Sequence, residues 1–144
     1  MSALEERFSR ALHSTSRAWR LALDRRLRDL GVSQASWLTI AVVARAGQPL
    51  SQTELAQRLA VEGATMVAMI DRLSEAGFVV REHSPTDRRV NLVALTKAGS
   101  RLYGKVKAEA DAFSQELLAA VDKEKLITVT ALLEQLQIAA ESVP

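Results

Sequence analysis

Apolar residues recur every three or four positions at Leu4, Phe8, Leu12, Trp19, Leu23, Leu27 and Leu30, with Thr15 filling the gap. That spacing marks one face of a helix. One amphipathic helix from Leu4 to Leu30 is predicted, ended by Gly31. It is long for a chain of 144 residues, so its stripe is expected to pack against more than its own domain. Ser33 can cap a second helix with Trp37, Ile40, Ala41 and Ala44 on one face, stopping near Gly47-Gln48-Pro49. Ser51-Gln52-Thr53-Glu54 then has the spacing of a capping box ahead of Leu55, Ala56 and Leu59. A turn around Val61 to Gly63 leads into a helix over Ala64–Ala76, closed by Gly77. Its inner face is Met66, Ile70 and Leu73, which leaves Gly63, Ala64, Thr65, Ala68, Met69 and Arg72 facing outward.

The period then changes. Phe78–Glu82 and Val90–Leu95 have strand composition, separated by the polar stretch His83–Arg89. Thr96 caps a helix running through Leu102, Val106, Ala110, Phe113, Leu117 and Val121. A last helix after Asp122 carries Leu126, Val129, Leu132, Leu133, Leu136 and Ala140. The predicted order is four helices, two strands and two helices. Two short helices joined by a tight turn, followed by strands flanking a basic loop, can place a helix in a DNA major groove with a charged finger beside it.

Composition narrows the choice. There are no cysteines, which removes disulfides, thiolate metal sites and thiol-based redox sensing. Oxidation of Met66 or Met69 is chemically open but has no motif behind it. The two histidines, His13 and His83, are isolated, and neither a Gly-rich phosphate loop nor a nucleophile elbow is present. An enzyme is not expected, and no metal or cofactor is implied. Charged residues interrupt the N-terminal segment at Glu5, Glu6, Arg7 and Arg10, so neither a signal peptide nor a membrane helix is expected and a cytoplasmic protein is. Nineteen basic against 17 acidic side chains give a net charge of +2, too little to argue for nucleic acid. Its distribution says more. Residues 1–30 hold seven Arg against four acids, and residues 101–144 hold five Lys or Arg against seven acids.

Several short runs stand in a fixed order: Thr53-Glu54-Leu55-Ala56, Ile70-Asp71-Arg72-Leu73, Glu75-Ala76-Gly77-Phe78-Val79, Asp87-Arg88-Arg89 and Leu95-Thr96-Lys97-Ala98-Gly99. With Trp19-Arg20, Leu23-Asp24-Arg25-Arg26-Leu27 and Gln34-Ala35-Ser36-Trp37 upstream, the set resembles the MarR family (multiple-antibiotic-resistance regulators), and more narrowly its SlyA-like branch. The resemblance covers roughly residues 10–121. It implies a mainly α, winged helix-turn-helix protein that acts as a homodimeric regulator on double-stranded DNA. Residues 1–32 and 100–144 would be dimerisation helices and residues 33–99 the DNA-binding lobe, together one intertwined domain.

On that reading the outward residues Gly63, Ala64, Thr65, Ala68 and Arg72 face the major groove. The SlyA-like pattern tends to carry a basic residue where Ala68 stands. Thr65 is left as the early hydrogen-bonding side chain, while Ala64 and Ala68 offer only contact to thymine methyl groups. Modest base readout is therefore expected, with more weight on shape and phosphate contacts. Ser51, Gln52 and Thr53 sit at a helix N-terminus suited to a phosphate, with Arg72 and His83 as further candidates; capping or plain surface roles compete for each. Asp87-Arg88-Arg89 matches the family's Asp-x-Arg wing signature. The resemblance implies that Arg89 enters the minor groove braced by Asp87, with Arg88 at or near the tip, and an ordinary salt bridge within the loop is the competing reading. Arg81, beside the wing, reads as a surface residue.

The resemblance also implies a small aromatic carboxylate ligand. His13 and Arg17 lie one turn apart on the first helix, Ser36 and Trp37 open the second, and a guanidinium beside an indole suits such a ligand. Trp37 as plain core and Arg17 as plain surface are the alternatives. The principal rival to a DNA regulator is a winged helix used as a protein-interaction module without specific DNA binding.

Overall fold

A computed structural model describes residues 2–144. The elements run α1 (Ala3–Arg28), α2 (Gln34–Ala46), β1 (Leu50–Ser51), α3 (Gln52–Arg58), α4 (Gly63–Glu75), β2 (Val79–His83), β3 (Asn91–Leu95), α5 (Lys97–Leu118) and α6 (Lys123–Glu141). The chain falls into two compact units, one ending at Asp111 and one running from Ala112 to Pro144.

In the first unit the local signals act as expected. The Ser33 hydroxyl accepts from the Ser36 amide, and Ser51 and Glu54 form a reciprocal capping box. Three antiparallel strands order as β1-β3-β2, with Leu50 opposite Val93 and Val79 opposite Leu95. β1 was absent from the sequence reading. Two residues are too few to display alternation, and Pro49 before them reads as a turn.

The lobe's core gathers α2, α3, α4 and the sheet around Ile40, Val43, Leu50, Leu55, Ile70, Val79 and Val93. A second cluster, Leu27, Val32, Trp37, Ala41 and Val106, joins the end of α1 to α2 and α5. An Arg26–Glu109 ion pair lies on the flank of α1 and α5. Upstream of Leu27, α1 buries no side chain completely: Leu4, Phe8, Leu12 and Leu21 stay exposed.

One predicted orientation is corrected. Met69 was expected outward, but it is only 7 % exposed and belongs to the core with Met66, Ile70 and Leu73. Four positions at spacing 3, 1 and 3 make a wider apolar stripe than three, as a helix covered on one broad side needs. Its thioether lies 3.6 Å from the Ser36 hydroxyl and 3.9 Å from Arg72 Nη2.

α4 ends in a Schellman arrangement. The Phe78 amide donates to the Leu73 carbonyl and the Gly77 amide to that of Ser74, with Gly77 at φ +84°. The turn into α4 is less relaxed. Ala60 adopts φ +54°, a left-handed conformation that costs a β-carbon-bearing residue about 1–2 kcal/mol. Its position lets the Val61 amide reach back to the Ala56 carbonyl at 3.0 Å, which reverses the chain between the two helices.

In the second unit, α6 is capped by Asp122, whose carboxylate accepts from the Glu124 amide. None of its residues is buried: Ile127, Val129, Leu132, Leu133, Leu136 and Ile138 all remain exposed. No described helix is long and apolar enough to cross a membrane.

Candidate nucleic-acid interface

α4 presents one face to solvent because the other carries the four core residues. Gly63, Ala64, Thr65, Ala68 and Arg72 are all exposed, as the helical period requires. Val67, 41 % exposed, and Asp71 share that side and were not singled out from the sequence. The charged residues along this surface are Glu62, Asp71, Arg72 and Glu75, so acids outnumber bases. A helix presented to phosphates with that balance depends on positive charge supplied from elsewhere.

The loop between β2 and β3, the wing, carries two arginines, Arg88 and Arg89, against one acid, Asp87. Seven residues, 84–90, join β2 to β3. The Thr86 amide donates to the Ser84 hydroxyl, the Val90 amide to the Asp87 carbonyl and the Ser84 amide to the Val90 carbonyl, which closes the loop on itself. Asp87 and Arg89 are paired within the loop, as both readings of the signature require. Asp87 Oδ1 accepts from the Arg89 amide at 3.0 Å and from Nε at 3.1 Å, and its Oδ2 accepts from Nη2 at 3.3 Å. The Arg89 side chain is 91 % exposed even so. Its guanidinium is therefore oriented from below while remaining open to a partner above. These bonds, the Arg89 side chain first and its amide next, hold the Asp87 carboxyl below the ordinary carboxylate range. Arg88 is exposed, and its carbonyl lies 3.1 Å from His83 Nδ1, so the tautomer protonated there donates to it.

At the start of α3, the Ser51 hydroxyl accepts from the Glu54 amide at 3.1 Å while Thr53 is exposed. Gln52 is half-buried, and its Oε1 accepts from Arg81 Nε at 2.7 Å. Arg81, read from the sequence as a surface residue, has a side chain only 28 % exposed. It also donates to Asp71 Oδ1 at 2.6 Å and to the Val67 carbonyl at 3.4 Å, linking β2 to both helices of the helix-turn-helix. No periodicity or motif announces a contact between residues ten and 29 positions apart.

The four ligand candidates are not gathered together. His13 and Arg17 lie on an exposed stretch of α1, and among the described residues no hydrogen bond or ion pair joins them to Ser36 or Trp37. Trp37 is core, 9 % exposed, and the guanidinium over its ring is that of Arg45, 6.0 Å from the centroid. Its buried Nε1 lacks a hydrogen-bond partner among the described residues. Ser36 does line a cavity of about 150 Å³, together with Val32, Ile40, Arg72, Leu73 and Leu102. Ser36 and Arg72 give that otherwise mostly apolar space a hydroxyl and a guanidinium.

A family model described as the MarR family matches residues 30–90. Among solved structures, the chain is similar to the transcriptional regulator PA3341 at 35 % identity, covering 94 % of this chain and 99 % of that one with a TM-score of 0.82. AbsC, a MarR family transcriptional regulator from Streptomyces coelicolor, has the same fold: TM-score 0.86, 19 % identity, and coverage of 99 % and 98 % of the two chains. A MarR variant from E. coli, crystallised in complex with operator DNA, also has this fold, with a TM-score of 0.79, 24 % identity and coverage of 94 % and 99 %.

Proposed function

This chain belongs to the MarR family of transcriptional regulators, and from that premise we propose that it binds double-stranded DNA as a homodimer on a pseudo-palindromic operator. The observation that carries this reading is the wing. Arg89 is held at two nitrogens by Asp87 and is 91 % exposed, so its orientation is set before any partner arrives. A guanidinium on a thin loop reaches a narrow A·T-rich minor groove, where negative potential concentrates. α4 enters the major groove, with Thr65 as its hydrogen-bonding side chain and Ala64, Val67 and Ala68 as contacts to thymine methyl groups, while the Arg72 guanidinium lies against Met69 and the cavity lined by Ser36. Gly63 at its start keeps the approach to the backbone close, and Ser51, Gln52 and Thr53 face the flanking phosphates. That the E. coli MarR variant, a protein of this fold, was crystallised with operator DNA supports DNA as the partner.

The homodimer is supported by apolar faces left bare in each unit, Leu4, Phe8 and Leu12 on α1 and Leu132, Leu133 and Leu136 on α6. Patches of that kind mark association surfaces. Pairing them about a two-fold axis makes residues 1–32 and 100–144 the dimerisation helices and spaces two α4 helices by about 34 Å, one DNA turn. Regulation is steric: an occupied operator blocks polymerase or another DNA-bound protein in the cytoplasm, as a repressor of the SlyA-like kind. A small aromatic carboxylate modulates it by preferring one spacing of the lobes. Ser36 and Arg72 at the 150 Å³ cavity, with Trp37 close by in sequence, suit such a ligand better than His13 and Arg17 do.

Selection of duplex fragments by the purified protein tests the reading. Enrichment of an A·T-rich inverted repeat, weakened by salt, is the expected result. Failure to enrich any duplex rejects it and points to a protein-interaction module instead.

A further inference from the structure

α4 carries more acid than base on its solvent side, yet it is the helix assigned to the groove. Asp71 lies there with its side chain 55 % exposed, one residue before Arg72. A bare carboxylate at that position repels phosphate and opposes the arginine beside it. Arg81 answers it directly. Its side chain comes from β2, is only 28 % exposed, and donates through Nη2 to Asp71 Oδ1 at 2.6 Å. The same group donates through Nε to Gln52 Oε1 at 2.7 Å. An amide whose oxygen is occupied in this way turns its NH2 away from the arginine, as a donor. The third bond, to the Val67 carbonyl at 3.4 Å, ties the strand to the middle of α4.

Resting on the DNA-binding reading above, we propose that Arg81 is a positioning residue for DNA recognition. It cancels the Asp71 carboxylate on the recognition helix and holds the Gln52 amide with its donors toward a phosphate, without contacting DNA itself. The same side chain ties β2, which leads directly into the wing, to α3 and α4.

A direct phosphate contact and a positioning role make different predictions. Loss of a phosphate contact lowers the slope of log affinity against log salt by about 0.9. Replacing Arg81 and Asp71 together by neutral residues keeps the net charge of the pair, so a positioning role leaves that slope unchanged.

The experiment measures the affinity of full-length wild type, Arg81→Gln, Arg81→Lys and Arg81→Gln/Asp71→Asn for a selected duplex by fluorescence anisotropy across a salt series, with thermal unfolding as a control for folding. Arg81→Gln is expected to bind about tenfold more weakly, Arg81→Lys to recover part of the loss, and the double variant, which removes the bare carboxylate but leaves Gln52 unheld, to recover the part due to Asp71 with the wild-type salt slope. An Arg81→Gln affinity equal to wild type overturns the proposal. So does a double variant that stays weak with a reduced slope, because that identifies a phosphate contact. Wild type that binds no duplex fails the DNA-binding reading itself, a result separable from both.

Discussion

The carbonyl oxygen of Phe78 occupies the space beside Gly99 so closely that a β-carbon there would lie 2.1 Å from it. The same carbonyl accepts the Thr96 amide at 3.1 Å, and the Thr96 hydroxyl donates to the Gly77 carbonyl at 2.6 Å while accepting from the Gly99 amide at 3.0 Å. The first turn of α5 is thus fastened to the turn after α4, which fixes the base of the wing. Gly99→Ala forces backbone apart rather than a flexible side chain. It is expected to cost about 3 kcal/mol, read as a lower urea midpoint, and an unchanged midpoint contradicts this packing.

Ala60 makes the opposite prediction. Its left-handed conformation at φ +54° needs no β-carbon. Ala60→Gly relieves that strain and gives back part of the gain as chain entropy, for a net stabilisation of about 0.5–1 kcal/mol. Thermal unfolding reads the difference, and a lower Tm would place a contact at the methyl group that the turn does not have.

These two residues bear on how much of the molecule the sequence discloses. Gly99 sits in a recognisable run, Leu95-Thr96-Lys97-Ala98-Gly99, but its reason is the Phe78 carbonyl, 21 positions away. Caps and apolar periods are local, and Ser33, Ser51 and the Ile70–Leu73 face were legible for that reason. The pairing of Asp87 with Arg89 came from the resemblance to the Asp-x-Arg signature, and the two side chains are close in sequence as well as in space. The contacts of Arg81 were not legible, because its partners come from two other elements. Met69 was misassigned because a period alone does not say how wide the buried stripe is.

The Asp87–Arg89 brace has a defined pH window. The Asp87 carboxyl titrates below its ordinary range in the folded protein, so the stabilisation is fully present above the unfolded value and is lost as pH falls through the lowered folded one. From about pH 6 to 8 the brace does not change. An acid titration of the Arg89 backbone amide resonance should have its midpoint below that of an unfolded aspartate, and Asp87→Asn should abolish the transition. A midpoint at or above the ordinary value contradicts the brace.

Association through α6 predicts that Leu136→Glu separates the dimer. Leu136 is 38 % exposed, so by two-fold symmetry each copy loses about two-fifths of a leucine's burial, about 0.6–1.1 kcal/mol apiece, and the buried carboxylate adds to the loss, so the dissociation constant rises at least about tenfold. Sedimentation velocity over a concentration series measures it. A wild type that is monomeric throughout, or a variant that dimerises as wild type does, contradicts the assignment of this helix.

The most direct test of the account as a whole concerns Arg89 and the minor groove. Affinity is measured for wild type and Arg89→Ala on the selected operator and on a copy whose wing-facing A·T pairs are changed to G·C. Wild type is expected to prefer the A·T version by about five- to tenfold, and Arg89→Ala to bind both more weakly with that preference gone. Equal wild-type affinity for the two duplexes, or a preference that survives in Arg89→Ala, contradicts a wing that reads DNA through Arg89.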